Sequence, residues 1–158
     1  MHQFRISRFR PGASQSAIST WTSKSDVGET FDDGVLTLAE YERVEDLYVG
    51  AVRTLLEAAG LPDLRVSELH VTPLATPSAR AGLEGAQLTA ERALEVCRLE
   101  LREELSCRLD NDDRFYVHVG FDYYLYVGTA QPDSAAIESI EESGLFVEHD
   151  VPSPYLTA

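Results

Sequence analysis

Residues 114–128, RFYVHVGFDYYLYVG, carry four tyrosines, two phenylalanines and a histidine in fifteen positions. Successive side chains of a strand point to opposite faces, so such a segment commits two faces at once. Strands at 114–119 and 123–128, joined through Gly120-Phe121-Asp122, put Phe115, Val117 and Val119 on one face with Tyr123, Leu125 and Val127. These six are the expected core. Tyr116, His118, Tyr124 and Tyr126 fall together on the opposite face. That face is a surface for a partner, the wall of a pocket, or a layer covered by another part of the chain.

The remaining elements follow from periodicity and punctuation. HQFRISRFR at the start reads as a strand, ended by Pro11-Gly12, with Arg5, Arg8 and Arg10 making a basic corner. Residues 11–35 read as a long loop that Trp21 pins across the domain, because a large aromatic favours burial. From Thr37 the apolar residues Tyr41, Val44, Tyr48, Ala51, Val52, Leu55 and Leu56 recur at spacings of three and four. This predicts a helix with a Thr37/Glu40 capping box, closed by Gly60 and Pro62. DLRVSELHV predicts a second strand with a bulge near Ser67-Glu68, and residues 72–88 a loop. A second long helix is expected over 89–109, with Ala93, Leu94, Cys97, Leu101 and Leu105 on its core face, and DNDD at 110–113 as an acidic turn. A short helix starts near Asp133 or Ser134 and closes at Gly144; LFVEHDV is a last strand and PSPYLTA a tail. The order β-α-β-α-β-β-α-β predicts one α+β domain over 1–158. It is a mostly antiparallel sheet of about five strands with two long helices packed on one face.

Charge restricts the partners. The 158 residues carry 27 Asp and Glu against 13 Lys and Arg, a net charge of −14. Residues 1–36 are balanced, so residues 37–158 carry the whole excess. Such a field opposes nucleic acid and anionic membranes and speeds encounter with a basic protein. The opening MHQFRISRFR has no apolar core of a signal peptide, and no run approaches the length of a membrane span. Cys97 and Cys107 fall ten residues apart in one expected helix, about 15 Å by helical rise, too far to form a disulfide. Reduced cysteines predict a cytoplasmic protein.

Catalytic signatures are sparse. The sequence has no Lys-Ser/Thr phosphate loop, HExxH, CxxC, GxSxG or EF-hand loop, and no cofactor or metal is expected. His118 with Asp122 or Glu68 would make an oriented general base, and DNDD would offer carboxylates to a cation. A strand histidine and an acidic turn explain both more simply.

WTSKSDVG at 21–28, LTLAEYERVEDLYVGAV at 36–52 and the 114–128 segment together resemble an uncharacterised family of small acidic bacterial proteins. A bacterial source also suits a chain with twelve arginines and one lysine. More loosely, a small acidic α+β chain is similar to the immunity proteins of bacterial toxin systems. That resemblance implies a cytoplasmic inhibitor that binds and blocks a cognate basic toxin, for example a nuclease. The expected contacts are Tyr116, His118, Tyr124 and Tyr126, with Asp110, Asp112, Asp113 and Trp21 beside them. Tyrosine supplies rigid amphipathic anchors at interfaces. The alternative is a small enzyme whose pocket lies between the 11–35 loop and the 114–128 hairpin, lined by Trp21, Asp26, Glu68, His118 and Tyr124. A homodimer burying the tyrosine face is a third arrangement.

Overall fold

The computed structural model describes residues 1–12, 20–77, 82–120 and 122–157. The chain runs β1 (His2–Ser7), β2 (Thr30–Phe31), β3 (Gly34–Val35), α1 (Leu38–Ala58), β4 (Leu64–Val71), β5 (Gln87–Leu88), α2 (Ala90–Leu101), β6 (Leu105–Asn111), β7 (Phe115–Val119), β8 (Leu125–Thr129), α3 (Ser134–Glu142) and β9 (Phe146–His149). The fold is α+β, with three complete helices among the described residues. Its main sheet has seven strands in the order β5-β4-β6-β7-β8-β1-β9, every neighbouring pair antiparallel. β2 and β3 form a separate two-stranded ribbon.

The sheet is larger than the five strands expected, chiefly because of residues 102–111. The expected helix over 89–109 stops at Leu101. Glu103 then turns the chain at a φ of +59°, and Leu105–Asn111 continues as a strand. Leu105, Cys107 and Leu109 alternate inward against Ser106, Arg108 and Asp110, the period of a strand. Cys97 and Cys107 therefore lie on different elements, and both are buried free thiols. Asp110 and Asn111 belong to β6, so only the second half of DNDD turns the chain. The other added strand, β5, holds two residues against Leu64 and Arg65. The bulge expected in β4 is present, a register shift between Ser67 and His70 with Glu68 at φ +53°.

α1 starts where Thr37 Oγ1 accepts the Glu40 N–H at 3.1 Å. Gly60, at φ +84°, reverses the chain at its end so that the Leu61 N–H reaches the Leu56 carbonyl at 2.8 Å. Tyr41, Val44, Tyr48, Val52, Leu55 and Leu56 form its buried face. They join Phe4, Ile6, Leu64, Val66, Leu109, Phe115, Val117, Leu125 and Val127 from the sheet in one apolar cluster. Tyr123 and Val119 pack with it, so all six residues expected to face the core do so. Trp21 enters this cluster too, with ring centroids 5.6 Å from Tyr41 and 5.3 Å from Tyr123.

One charged group sits inside the helical layer. Glu45 is fully buried and joins α1 to α2, accepting from Arg102 Nε and Nη2 at 2.7 and 2.9 Å and from Arg98 Nη1 at 2.5 Å. Tyr41 donates to it at 3.2 Å. Burial alone raises its pKa, but the arginine hydrogen bonds outweigh that and hold it below the usual carboxylate range.

Candidate functional site

The register lays one row of polar side chains straight across the sheet on the face away from the helices. Ser67 pairs with Arg108, and the next step of the β6–β7 ladder sets Arg108 beside His118. His118 pairs with Tyr126, Tyr126 with Arg5, and Arg5 with Glu148. Arg5 closes the row with a two-pronged ion pair to Glu148 at 2.7 and 2.9 Å. A second row sets Asp110 opposite Tyr116 and Tyr116 opposite Gly128. Tyr116 lies over that glycine so closely that a Cβ there would meet its ring at 2.1 Å.

This face is not open across its width. Tyr116, His118 and Tyr126 are 3, 2 and 6% exposed. The cover seen among the described residues is the tail after β9; residues 13–19 of the 11–35 loop lie outside them. Ser153 Oγ lies 2.7 Å from His118 Nδ1. The Tyr155 ring meets His118 and Tyr126 edge-on, each at 6.4 Å between centroids. Tyr116 stacks on His118 at 4.9 Å. Burial beneath the tail, and after it the neighbouring Arg108 charge, lower the His118 pKa to about 4. The ring is thus neutral at pH 7. Burial also raises the Tyr116 and Tyr126 hydroxyls above their ordinary value.

Beyond the tail the same face stays accessible. A groove of about 380 Å³ runs along it, walled by Glu68 and His70 of β4, Ser106 and Arg108 of β6, Val119 of β7 and Tyr155 of the tail. Arg108 Nη1 pairs with Glu68 at 3.0 Å. Asp110 is half-buried beside the groove, and its pKa is raised, first by burial, with Arg108 opposing. Asp112 and Asp113 are exposed in the β6–β7 turn.

The expected contacts therefore divide. Tyr116, His118, Tyr126 and Asp110 come together on one face. Asp112 and Asp113 stand at its end. Tyr124 is half-buried outside the strands, where it packs on Phe9 and under the Arg5 guanidinium. Trp21 is 3% exposed on the helix side, with the Arg8 guanidinium 4.0 Å from its ring centroid. The five residues proposed to line an enzyme pocket are split by the sheet as well. Asp26 is held in the loop by the Thr22 and Ser23 N–H groups, on the chain segment next to Trp21, while Glu68 and His118 share the outer groove. Between the loop residue Thr22 and the hairpin residues Val119, Gly120 and Tyr123 there is a cavity of only about 10 Å³, room for about one water. The buried Glu100 carboxyl faces it. Burial raises that carboxyl to a pKa of about 8, against the opposing hydrogen bond from the Cys107 N–H.

The sequence reading missed Ser106, Arg108, His70, Ser153 and Tyr155. The alternation of 105–111 carries the signal for the first two. Nothing local marks the tail residues. The basic corner is engaged within the fold: Arg5 on Glu148, Arg8 donating to the Trp21 carbonyl, and Arg10 over Phe146. Among the described residues no three His, Cys, Asp or Glu side chains are grouped to hold a metal ion, and no helix is long and apolar enough to cross a membrane. No protein-family model, curated protein or solved structure matches the chain.

Proposed function

We propose that this chain is a cytoplasmic protein-binding module of the immunity type, which blocks a cognate basic toxin such as a nuclease by covering it. The reading rests on how the −14 charge is displayed. Glu29, Asp32, Asp33, Glu42, Asp112 and Asp113 are exposed with no ion-pair partner among the described residues. Carboxylates left unpaired repel one another in the free protein, and a basic partner relieves that repulsion while being steered in.

Contact is assigned to the β6–β7 end of the outer sheet face, where Asp110 lies opposite Tyr116 and Asp112 and Asp113 are exposed in the turn. Tyr155, on His118 and Tyr126, and Tyr124, in the β7–β8 connection, lie toward the other end of these strands and offer a second patch of contact. Tyr116, His118 and Tyr126 support that surface from beneath the tail.

The test is affinity capture with the tagged protein at low and high salt, followed by co-expression of the captured protein. A basic protein held at low salt, released at high salt, and toxic to cells unless this chain is co-expressed supports the reading. Asp110→Asn, Asp112→Asn and Asp113→Asn together should weaken that complex at least about tenfold, from loss of charge steering and rim pairing. A partner whose binding ignores both salt and this triple variant refutes the assigned surface. A partner that is not basic refutes the function.

A further inference from the structure

The seven-stranded sheet closes one of its edges and leaves the other bare. At the closed edge β5 pairs with Leu64 and Arg65, the Val66 N–H donates to the Ala86 carbonyl at 2.9 Å, and the Glu84 carboxylate accepts the Leu69 N–H at 2.9 Å. At the other edge stands β9, whose one strand neighbour is β1. In an antiparallel pair successive residues aim their N–H and C=O groups alternately toward the partner and away from it. The Asp150 N–H donates to the Gln3 carbonyl at 2.8 Å, so Asp150, Glu148 and Phe146 aim theirs at β1. Val147 and His149 therefore aim theirs outward, and nothing among the described residues bonds them. His149 is exposed, and the Val147 side chain belongs to the apolar cluster under the sheet.

A bare edge is a template for another strand, and folded proteins blunt such edges with charge, proline or a bulge. β9 holds no proline and no register shift, and its one acidic residue, Glu148, is engaged by Arg5. The charge lies around the strand instead. Residues 133–150 hold six acidic residues and no Lys or Arg. Glu141 and Glu142 are exposed at the end of α3, just before β9, and Asp150 is exposed just after it. None of these three has an ion-pair partner among the described residues. A second copy of β9 laid on this edge would bring such carboxylates against their own kind, whereas a basic segment is drawn in. The edge also adjoins the contact surface assigned above. The ladder Phe115–Thr129–His2 and the bond from Asp150 to Gln3 put Asp150 at the same end of the sheet as the Asp112-Asp113 turn, three strand spacings or about 14 Å away.

We propose that β9 is the docking edge for an extended, basic segment of the protein partner, which joins the sheet as an eighth strand. The backbone of that segment exchanges hydrogen bonds with Val147 and His149. Its Lys and Arg side chains meet Glu141 and Glu142 at one end of the strand and Asp150 at the other. The inference rests on the reading of a basic protein partner and adds how that partner is held: backbone bonds grip it, and the carboxylates select it.

The experiment is an NMR titration of the full ¹⁵N-labelled chain with an acetylated, amidated hexapeptide that alternates arginine and valine. The peptide should shift the Val147 and His149 amides saturably, with a Kd of about 1 mM or tighter, and slow their exchange with solvent. A glutamate-valine version should bind at least about tenfold more weakly, for want of charge attraction. The arginine-valine peptide N-methylated at every backbone amide keeps the charge and loses the donors, and should also be at least about tenfold weaker. His149→Pro removes one outward N–H, leaves the bonds to β1 in place and suits an edge strand. It should weaken the peptide about tenfold while the rest of the spectrum stays folded. Shifts confined to Glu141, Glu142 and Asp150, or equal binding of the N-methylated peptide, reduce the effect to charge alone and overturn the proposal. So does a free chain that dimerises in light scattering with Val147 and His149 already protected, because the edge then belongs to a second copy. The peptide is not the captured partner, so its failure to bind leaves the inhibitor reading standing, and a captured partner that is not basic leaves the peptide result standing.

Discussion

Ser153 Oγ and His118 Nδ1 meet at 2.7 Å across thirty-five residues of chain, and this contact ties the tail to the outer face of the sheet. Ser153→Ala leaves Nδ1 buried without a partner, which costs about 1–3 kcal/mol. The variant should unfold at lower urea. Its His118, measured by NMR titration, should move up from about 4 toward the ordinary 6.5 as the tail loosens.

His118 also sets a pH dependence. Its folded pKa lies below its unfolded one, so between pH 6.5 and about 4 the unfolded chain binds a proton that the folded chain refuses. Stability from this group is complete above pH 6.5 and is lost as pH falls through that window, by up to about 3 kcal/mol. Replacing His118 with Gln should flatten the loss. Urea denaturation of both proteins at pH 7 and pH 4.5 measures the difference.

Glu100 works in the opposite sense. Burial lifts its folded pKa to about 8, above the ordinary 4.5, so the folded chain holds a proton that the unfolded chain releases. Its contribution is complete below pH 4.5 and falls as pH rises toward 8. Glu100→Gln keeps an oxygen for the Cys107 N–H and has no charge to bury. The variant should match wild type near pH 4.5 and exceed it by about 4 kcal/mol at pH 8, read from denaturation at each pH.

Glu45 is the buried carboxylate joining α1 to α2. Glu45→Ala takes the partner from Arg102, leaves Arg98 only Asp46, and opens a hole between the helices, and should cost about 3 kcal/mol. Arg102→Met alone should cost less, because Arg98 still balances Glu45. A double-mutant cycle between positions 45 and 102 should therefore show coupling well outside additivity.

Gly128 exists because Tyr116 occupies the space above it. Gly128→Ala drives a methyl into the ring at 2.1 Å and should cost about 3 kcal/mol by overpacking. Tyr116→Leu in the same chain should recover part of that loss. Thermal melts of the two single variants and the double distinguish this steric cause from a simple strand effect.

How far the sequence discloses this fold depends on where the information lies. α1 is written locally, in an N-cap, an apolar stripe and a closing Gly60. The 115–129 hairpin is written in a two-residue alternation that sorts the core residues and Tyr116, His118 and Tyr126 correctly, but not Tyr124, which lies before β8 and packs on Phe9. β6 is written too, in Leu105, Cys107 and Leu109, but Leu101 and Leu105 also satisfy helical spacing. The turn that decides between the two periods is made by Glu103 at φ +59°, without the glycine that normally marks such a turn. β5 and the ribbon are too short to show a period. The tail contact is a matter of tertiary packing: Ser153 and Tyr155 have no neighbours in sequence that predict a sheet face, so the outer tyrosines look open until the chain is folded.

β1 stands between β8 and β9 in the sheet, yet it precedes both by more than a hundred residues. On the ribosome it emerges before either neighbour and has no sheet partner until residues 125–129 have been made. Its other edge stays bare until 146–149 follow. Phe4 and Ile6 must therefore wait, unpaired and apolar, through most of translation. Stalled or truncated products of this gene would present a free sticky strand, and cells making them would need chaperones that bind short apolar segments.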